Sequence, residues 1–182
     1  MTLRSAAPVL GLVLLVACGC GERPKAPPLV NDTVFQNDRI GLRFLAPEGW
    51  SVVSRADLPK TLPKPIILIA YQQGRGDSSA EMEVLAADLA EGADLGQFLL
   101  EHRIGAVKWT IKTPPESVTI NGAEATRLVL SRTPKGKGEI RREATAFRRE
   151  GRSYFFIITF TASDGLARDA ARQSVQSVTW TR

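Results

Sequence analysis

The sequence predicts an α+β fold, a central antiparallel sheet flanked by helices. Three stretches carry that prediction. Asn121-Gly122 stands between the alternating runs of "ESVTINGAEATRLVLS", the signature of a two-residue hairpin in which both turn residues take positive φ. "SYFFIITFT" puts Tyr154, Phe156, Ile158 and Phe160 on one face and Phe155 and Ile157 on the other, so this strand is central and covered on both sides. "DLGQFLLEHR" and "SDGLARDAARQSVQS" read as amphipathic helices that supply the covers.

Before the domain comes an address. Arg4 is the only charge ahead of Glu22, and the mostly apolar stretch Ala6 to Ala17 follows it. That run is short of the ~20 residues a membrane span needs, and it suits the core of a secretory signal. Leu15-Val16-Ala17-Cys18 then resembles the lipobox of bacterial lipoproteins, whose cysteine thiol is acylated while the chain is cut just before it. Residues 1–17 are thus expected to be a signal peptide and Cys18 the lipidated residue, the rival being an ordinary cleaved signal. Cys20 fits the lipobox less well, with Ala17 three positions before it in place of a leucine. Once Cys18 carries lipid, Cys20 has no partner for an internal disulfide, since the chain has only 2 cysteines. It is then a thiol in a flexible tether, open to acylation or to pairing between molecules. Residues 18–34, with "GERPKAPPLVND" at their heart, read as a Pro-containing tether.

One domain is expected over 35–182, long enough to bury roughly two-thirds of its unfolded surface. Ile40, Leu42 and Phe44 alternate, Pro47-Glu48-Gly49 makes a turn of type I, and Trp50 and Val52 begin the return strand. "PIILIAY" (65–71) and "AEMEVLAADL" (80–89) are further strands. In the first helix Asp94 is the expected N-cap, with Gln97 placed for a capping box, and Leu95, Phe98, Leu99 and His102 share a stripe. A second hairpin is expected at Glu150-Gly151. The last helix starts from a Ser163 cap and lays Ala167, Ala170, Ala171 and Ser174 against the sheet. Val178 and Trp180 face one way on a final strand.

"NDRIGLRFLAPEGWSVV", with its Gly-aromatic strand and Pro-x-Gly-Trp turn, resembles the opening of PsbP-type domains, including DcrB-like bacterial lipoproteins. "REGRSYFFIITFTAS", a helix and "SVTW" resemble their close. The likeness spans Asn37 to Trp180, the middle matching by element order alone. It implies a PsbP-like α/β/α sandwich and a non-enzymatic role, since members stabilise a photosystem or bind a small GTPase. The matching residues are turn and core residues and carry no site. The metal-binding histidines of some plant members have no counterpart in a chain with 1 histidine.

Catalytic signatures fail on their missing partners. "GDSS" (76–79) is similar to the nucleophile block of one lipase and esterase class. That class needs a histidine with an aspartate three residues before it, and His102 has Leu99 there. A serine without a base is a weak nucleophile. "RGD" (75–77) is a short match expected by chance, and His102 follows a helix stripe. No cluster has metal-ligand spacing, "PKGKGE" lacks the spacing of a phosphate loop, and no dinucleotide fingerprint is present. Neither metal, cofactor nor catalytic residue is expected, and the protein is not read as an enzyme.

Charge is segregated instead. The chain carries 24 Lys+Arg against 19 Asp+Glu. Residues 76–101 hold acids alone, whereas 132–152 are rich in bases. Arg148, Arg149 and Arg152 are expected to ring one hairpin tip, and Arg132, Lys135, Lys137, Arg141 and Arg142 the opposite end, opposed only by Glu139. That second group is either a solvated strand margin or a contact for an anionic partner such as lipid headgroups, envelope polysaccharide or an acidic protein face. Nucleic acid does not suit an exported lipoprotein. The sequence therefore points to an exported protein, lipid-anchored through Cys18 to the cell membrane or outer membrane, with its domain facing the periplasm or exterior. It would serve as a binding or assembly module of the envelope. The alternative is an envelope hydrolase with a site that no motif reveals.

Overall fold

The structure is a computed structural model, and it describes residues 32–62, 64–74, 80–90, 92–101 and 108–181. Cys18, Cys20, the lipobox, the tether up to residue 31, "GDSS", "RGD" and His102 lie outside the described residues.

Twelve elements follow in chain order: β1 (Val34–Asn37), β2 (Leu42–Leu45), β3 (Ser51–Arg55), β4 (Ile66–Gln73), β5 (Ala80–Ala87), α1 (Leu95–Glu101), β6 (Thr110–Ile120), β7 (Ala123–Arg132), β8 (Ile140–Arg149), β9 (Arg152–Thr161), α2 (Gly165–Gln176) and β10 (Thr179–Trp180). Seven strands form one antiparallel sheet in the order β3-β4-β5-β9-β8-β7-β6, and β1-β2-β10 form a second, smaller one. Strand content dominates. The faces of the large sheet are covered unequally, by α2 and the small sheet on one side and by the seven-residue α1 on the other.

The hairpin readings hold. Asn121 and Gly122 take φ of 48° and 79°, Glu150 and Gly151 of 51° and 75°, and each pair joins adjacent antiparallel strands. β9 is the middle strand of seven. Tyr154, Phe156, Ile158 and Phe160 enter the core beneath α2, while Phe155 and Ile157 enter the core beneath α1.

Four expectations are corrected. Trp50 and Val52 do not return along β2. β3 pairs with β4, and β2 pairs with β1 and β10, so the turn carries the chain from one sheet to the other. Both sides of that turn alternate well enough to pair, and burying Phe44 between the sheets decides against it. The turn itself closes with Trp50 N donating to Pro47 O at 3.2 Å, and Gly49 has φ 76°. A positive φ at the third turn position marks type II instead of type I. In α2 the N-cap is Asp164, whose carboxylate accepts from Ala167 N at 3.0 Å, one position beyond Ser163. For α1 the Asp94 cap is present, Oδ1 accepting from Gln97 N at 3.0 Å. The Gln97 amide does not reach back to complete the box. It donates to Glu101 at 2.6 Å, one turn ahead.

β6 begins at Thr110 and runs through Pro114 and Pro115, where the sequence shows only a strand from Glu116. Proline lacks the N–H a ladder needs, and it is tolerated here because β6 is an edge strand whose register shifts at Thr113.

Phe44 ties the two sheets together. Its ring stacks on Phe35 at 4.9 Å and meets Phe156 edge-on at 5.2 Å. Phe147, Tyr154 and Trp180 continue the aromatic cluster. The small side chains of Ala167 and Ala171 let α2 lie close, as the stripe predicts, with Ala170 only partly buried beside them. Polar contacts then lock α2 to β2: Ser174 Oγ donates to Leu45 O, and Leu45 N donates to Ser177 Oγ at 2.8 Å.

Candidate functional site

The five bases Arg132, Lys135, Lys137, Arg141 and Arg142 do not form one patch. Period-two alternation sends Arg141 and Arg142 to opposite faces of β8. Arg142 is buried, 6% exposed, its guanidinium 4.4 Å from the Trp109 ring centre, and its Nε donates to Thr159 Oγ1 at 3.1 Å. Arg141 is spent on Glu139, which accepts from it at 2.9 and 3.1 Å and from Lys112 at 2.5 Å. Lys112, then Arg141, hold the Glu139 carboxyl below its usual pKa. Glu139 is therefore neutralised twice over, and the end keeps its positive character through other residues.

Those residues are Lys108, Arg132, Lys135 and Lys137. Lys108, Thr110, Ser131, Arg132, Thr133 and Pro134 line a shallow pocket of about 290 Å³. Arg132 lies over Trp109, 4.9 Å from the ring centre, and its buried Nε has no hydrogen-bond acceptor among the described residues. The lining holds two cations and three hydroxyl groups and no acid. Lys135 and Lys137 are exposed on the adjoining loop. Lys108 and Trp109 were not legible as site residues. The only signal is an aromatic flanked by bases in "KWTIK", and the arginines that lie over it are more than twenty residues away in sequence.

The other basic group is structural. Arg148 donates to Ala90 O at 2.9 Å and Ala93 O at 2.8 Å, Arg152 pairs with Asp88 at 2.6 Å, and Arg149 lies over Trp180. Arg148 and Arg152 hold the β8–β9 tip against the chain leading to α1, and Arg149 meets β10.

Glu83 is buried on the same face as Arg142. Desolvation pushes its carboxyl pKa up, Arg142 opposing and Glu81 adding to the shift. Desolvation also lowers Arg142, against the pull of Glu83. Both shifts run toward the neutral forms, so burial outweighs the mutual attraction of the pair. A raised folded pKa means that the folded state holds the proton more tightly. The associated stability is present below the ordinary carboxylate pKa and is lost as pH rises through the folded value. Glu83→Gln should thus melt with the wild type at pH 4 and above it at pH 7. A variant that melts lower at pH 7 would show that the Glu83 charge stabilises Arg142 by more than its burial costs.

A concavity of about 410 Å³ lies on the opposite face, between α2 and the β6–β7 hairpin. Val118, Ile120, Ile158 and Val175 give it an apolar floor, and Asn121 closes one end by donating to Gln176 O at 2.8 Å and Val178 O at 3.0 Å. Two arginines line it. Arg172 forks onto the buried Glu143, both bonds 2.6 Å, and Arg127 donates through Nε and Nη2 to one oxygen of Glu116 at 2.9 and 2.7 Å.

Among the described residues no three His, Cys, Asp or Glu side chains are grouped to hold a metal ion, and no helix is long and apolar enough to cross a membrane. No protein-family model matches the chain, and no curated protein matches it. Among solved structures it is similar to cyanobacterial PsbP (CyanoP) from Synechocystis sp. PCC 6803, at 13% identity and a TM-score of 0.57, over 92% of this chain and 99% of that one. A protein of unknown function from Pseudomonas aeruginosa is 12% identical, with a TM-score of 0.48, over 82% of this chain and 97% of that one. The first likeness shows the fold: the domain is PsbP-like.

Proposed function

We propose that this PsbP-like domain is a non-enzymatic binding module, an α/β/α sandwich with α1 and α2 as its outer layers, carried by an exported lipoprotein. In this reading Cys18 bears the lipid, the tether spaces the domain from the cell membrane or outer membrane, and the domain faces the periplasm or exterior. The partner is an anionic envelope component. The observation that carries the reading is the pocket of Lys108, Arg132 and three hydroxyl groups beside Lys135 and Lys137, which among the described residues has no acid in its lining and no acceptor for the buried Arg132 Nε.

Arg141 and Arg142, spent on Glu139 and on Trp109, are replaced in the contact surface by Lys108. The experiment follows from that. A chain beginning at Gly19 should bind phosphatidylglycerol vesicles more tightly than phosphatidylcholine vesicles, and raised salt should weaken the preference. Changing Lys108, Arg132, Lys135 and Lys137 to glutamine should remove up to about 1 kcal/mol per base. Arg141→Gln should change little, because its charge already serves Glu139. Vesicle binding that ignores the four changes would refute an anionic partner at this end. For the anchor, wild-type protein should need detergent for extraction, and Cys18→Ser should leave an unprocessed or mislocalised chain; wild type found in the soluble fraction after export would refute lipidation.

A further inference from the structure

We propose a second site, independent of the basic end: the groove between α2 and the β6–β7 hairpin binds a small organic oxyanion with an apolar body. Its volume of about 410 Å³ falls within the roughly 300–1,000 Å³ of small-molecule clefts. Four of its lining residues are apolar and the remainder are polar, so an apolar floor meets a largely polar wall. Val118 and Ile120 come from the edge strand β6, Ile158 from the central strand β9, and Val175 from α2, so three elements converge on one apolar surface.

The spare hydrogen-bonding capacity decides the ligand's polarity. Both oxygens of Glu143, the one carboxylate that lines the groove, accept from Arg172, which offsets its negative charge. Asn121 has spent its amide nitrogen on the end of α2. The two guanidiniums are differently placed. Arg172 and Arg127 each donate through Nε and Nη2, and among the described residues neither Nη1 has an acceptor. A guanidinium has five N–H donors and no acceptor. The charged donors with bonds to spare belong to two cations that are already held in place by their carboxylate partners, which lowers the ordering cost of a further bond. The hydroxyls of Thr119 and Thr145 and the Gln176 amide line the groove beside them. A ligand that brings acceptors and negative charge satisfies them; a cation or a neutral donor does not. Carboxylate and phosphate both fit a guanidinium edge, and their common feature is an oxyanion on an apolar stem. The Asn121 turn closes one end of the groove, which suits a short molecule instead of a continuous chain.

Isothermal titration of the full-length protein tests this with 4-phenylbutanoate, phenyl phosphate and the neutral 4-phenylbutanamide. Saturable binding of one or both oxyanions is expected, with no measurable binding of the amide; which oxyanion binds tells carboxylate from phosphate. Arg127 is half exposed, so Arg127→Gln should keep the wild-type melting temperature while weakening the Kd about tenfold or more, the loss of one charge-assisted hydrogen bond. Thr119→Glu, which adds a negative charge at the lining, should weaken it as well. Changing Lys108 and Arg132 to glutamine should leave it unaltered, which separates this site from the vesicle-binding one. Failure of both oxyanions to bind, equal binding of the amide, or an Arg127→Gln variant that titrates like wild type would each overturn the proposal.

Discussion

Phe156→Ala should destabilise the domain by about 3–5 kcal/mol, the range for truncating a buried aromatic side chain. Phe156 is fully buried on the central strand β9, meets Phe44 edge-on at 5.2 Å and Phe147 at 5.6 Å. Two effects therefore add. The apolar area of one ring is lost, and a void opens where the small sheet docks on the large one. For a domain of about 150 residues each kcal/mol shifts Tm by roughly 2–4 °C, so a drop on the order of 10 °C is expected. Phe156→Leu should cost much less, because it keeps most of the volume. A drop below about 1 kcal/mol in thermal or denaturant unfolding would mean that the small sheet does not rest on this cluster.

Trp109→Ala should cost a similar amount, about 3–5 kcal/mol, for a further reason. Trp109 is buried against the core beneath α1, and two guanidiniums lie over its ring, Arg142 at 4.4 Å and Arg132 at 4.9 Å. Removing the indole leaves Arg142 buried, donating to Thr159 and next to a second positive charge. Each cation–π contact adds about 0.5–2 kcal/mol to the packing loss. Trp109→Phe, which keeps a ring, should recover most of the stability. The same substitution links fold to proposed function, since Arg132 lines the basic pocket through its place on Trp109. Anionic-vesicle binding should fall in Trp109→Ala at temperatures where the variant is still folded. Unchanged melting would show that the two arginines are held by something other than the indole.

Local rules were legible where the physics is local. Asn121-Gly122 and Glu150-Gly151 announce hairpins because a two-residue turn needs positive φ at both positions, whatever surrounds it. β9 announces its central place because apolar residues on both faces cannot be left in water. The Asp94 and Asp164 caps were within one residue of plain reading. The partner of β3 was not legible: Trp50 and Val52 alternate as they would in a hairpin with β2, and only the packing of Phe44 between two sheets sends β3 to β4 instead. The short strands of the small sheet, which pairs residues from both ends of the chain, are non-local in the same way.

The basic end marks the same division in the candidate sites. Counting charges along the chain places Arg132, Lys135, Lys137, Arg141 and Arg142 in one stretch, and that much is a property of the sequence. Strand alternation, also a sequence property, already separates Arg141 from Arg142. What each charge does then depends on partners far away in the chain: Lys112 reaches Glu139, Trp109 receives Arg132 and Arg142, and α2 brings Arg172 to Glu143. By itself the sequence determined most of the strands, the two hairpin turns, the central place of β9 and the segregation of charge, because these follow from backbone sterics and from burial at fixed period. The tertiary structure alone decided which strands pair across the two sheets, which bases are neutralised or buried, and where a groove opens, because those outcomes depend on contacts between residues distant in sequence.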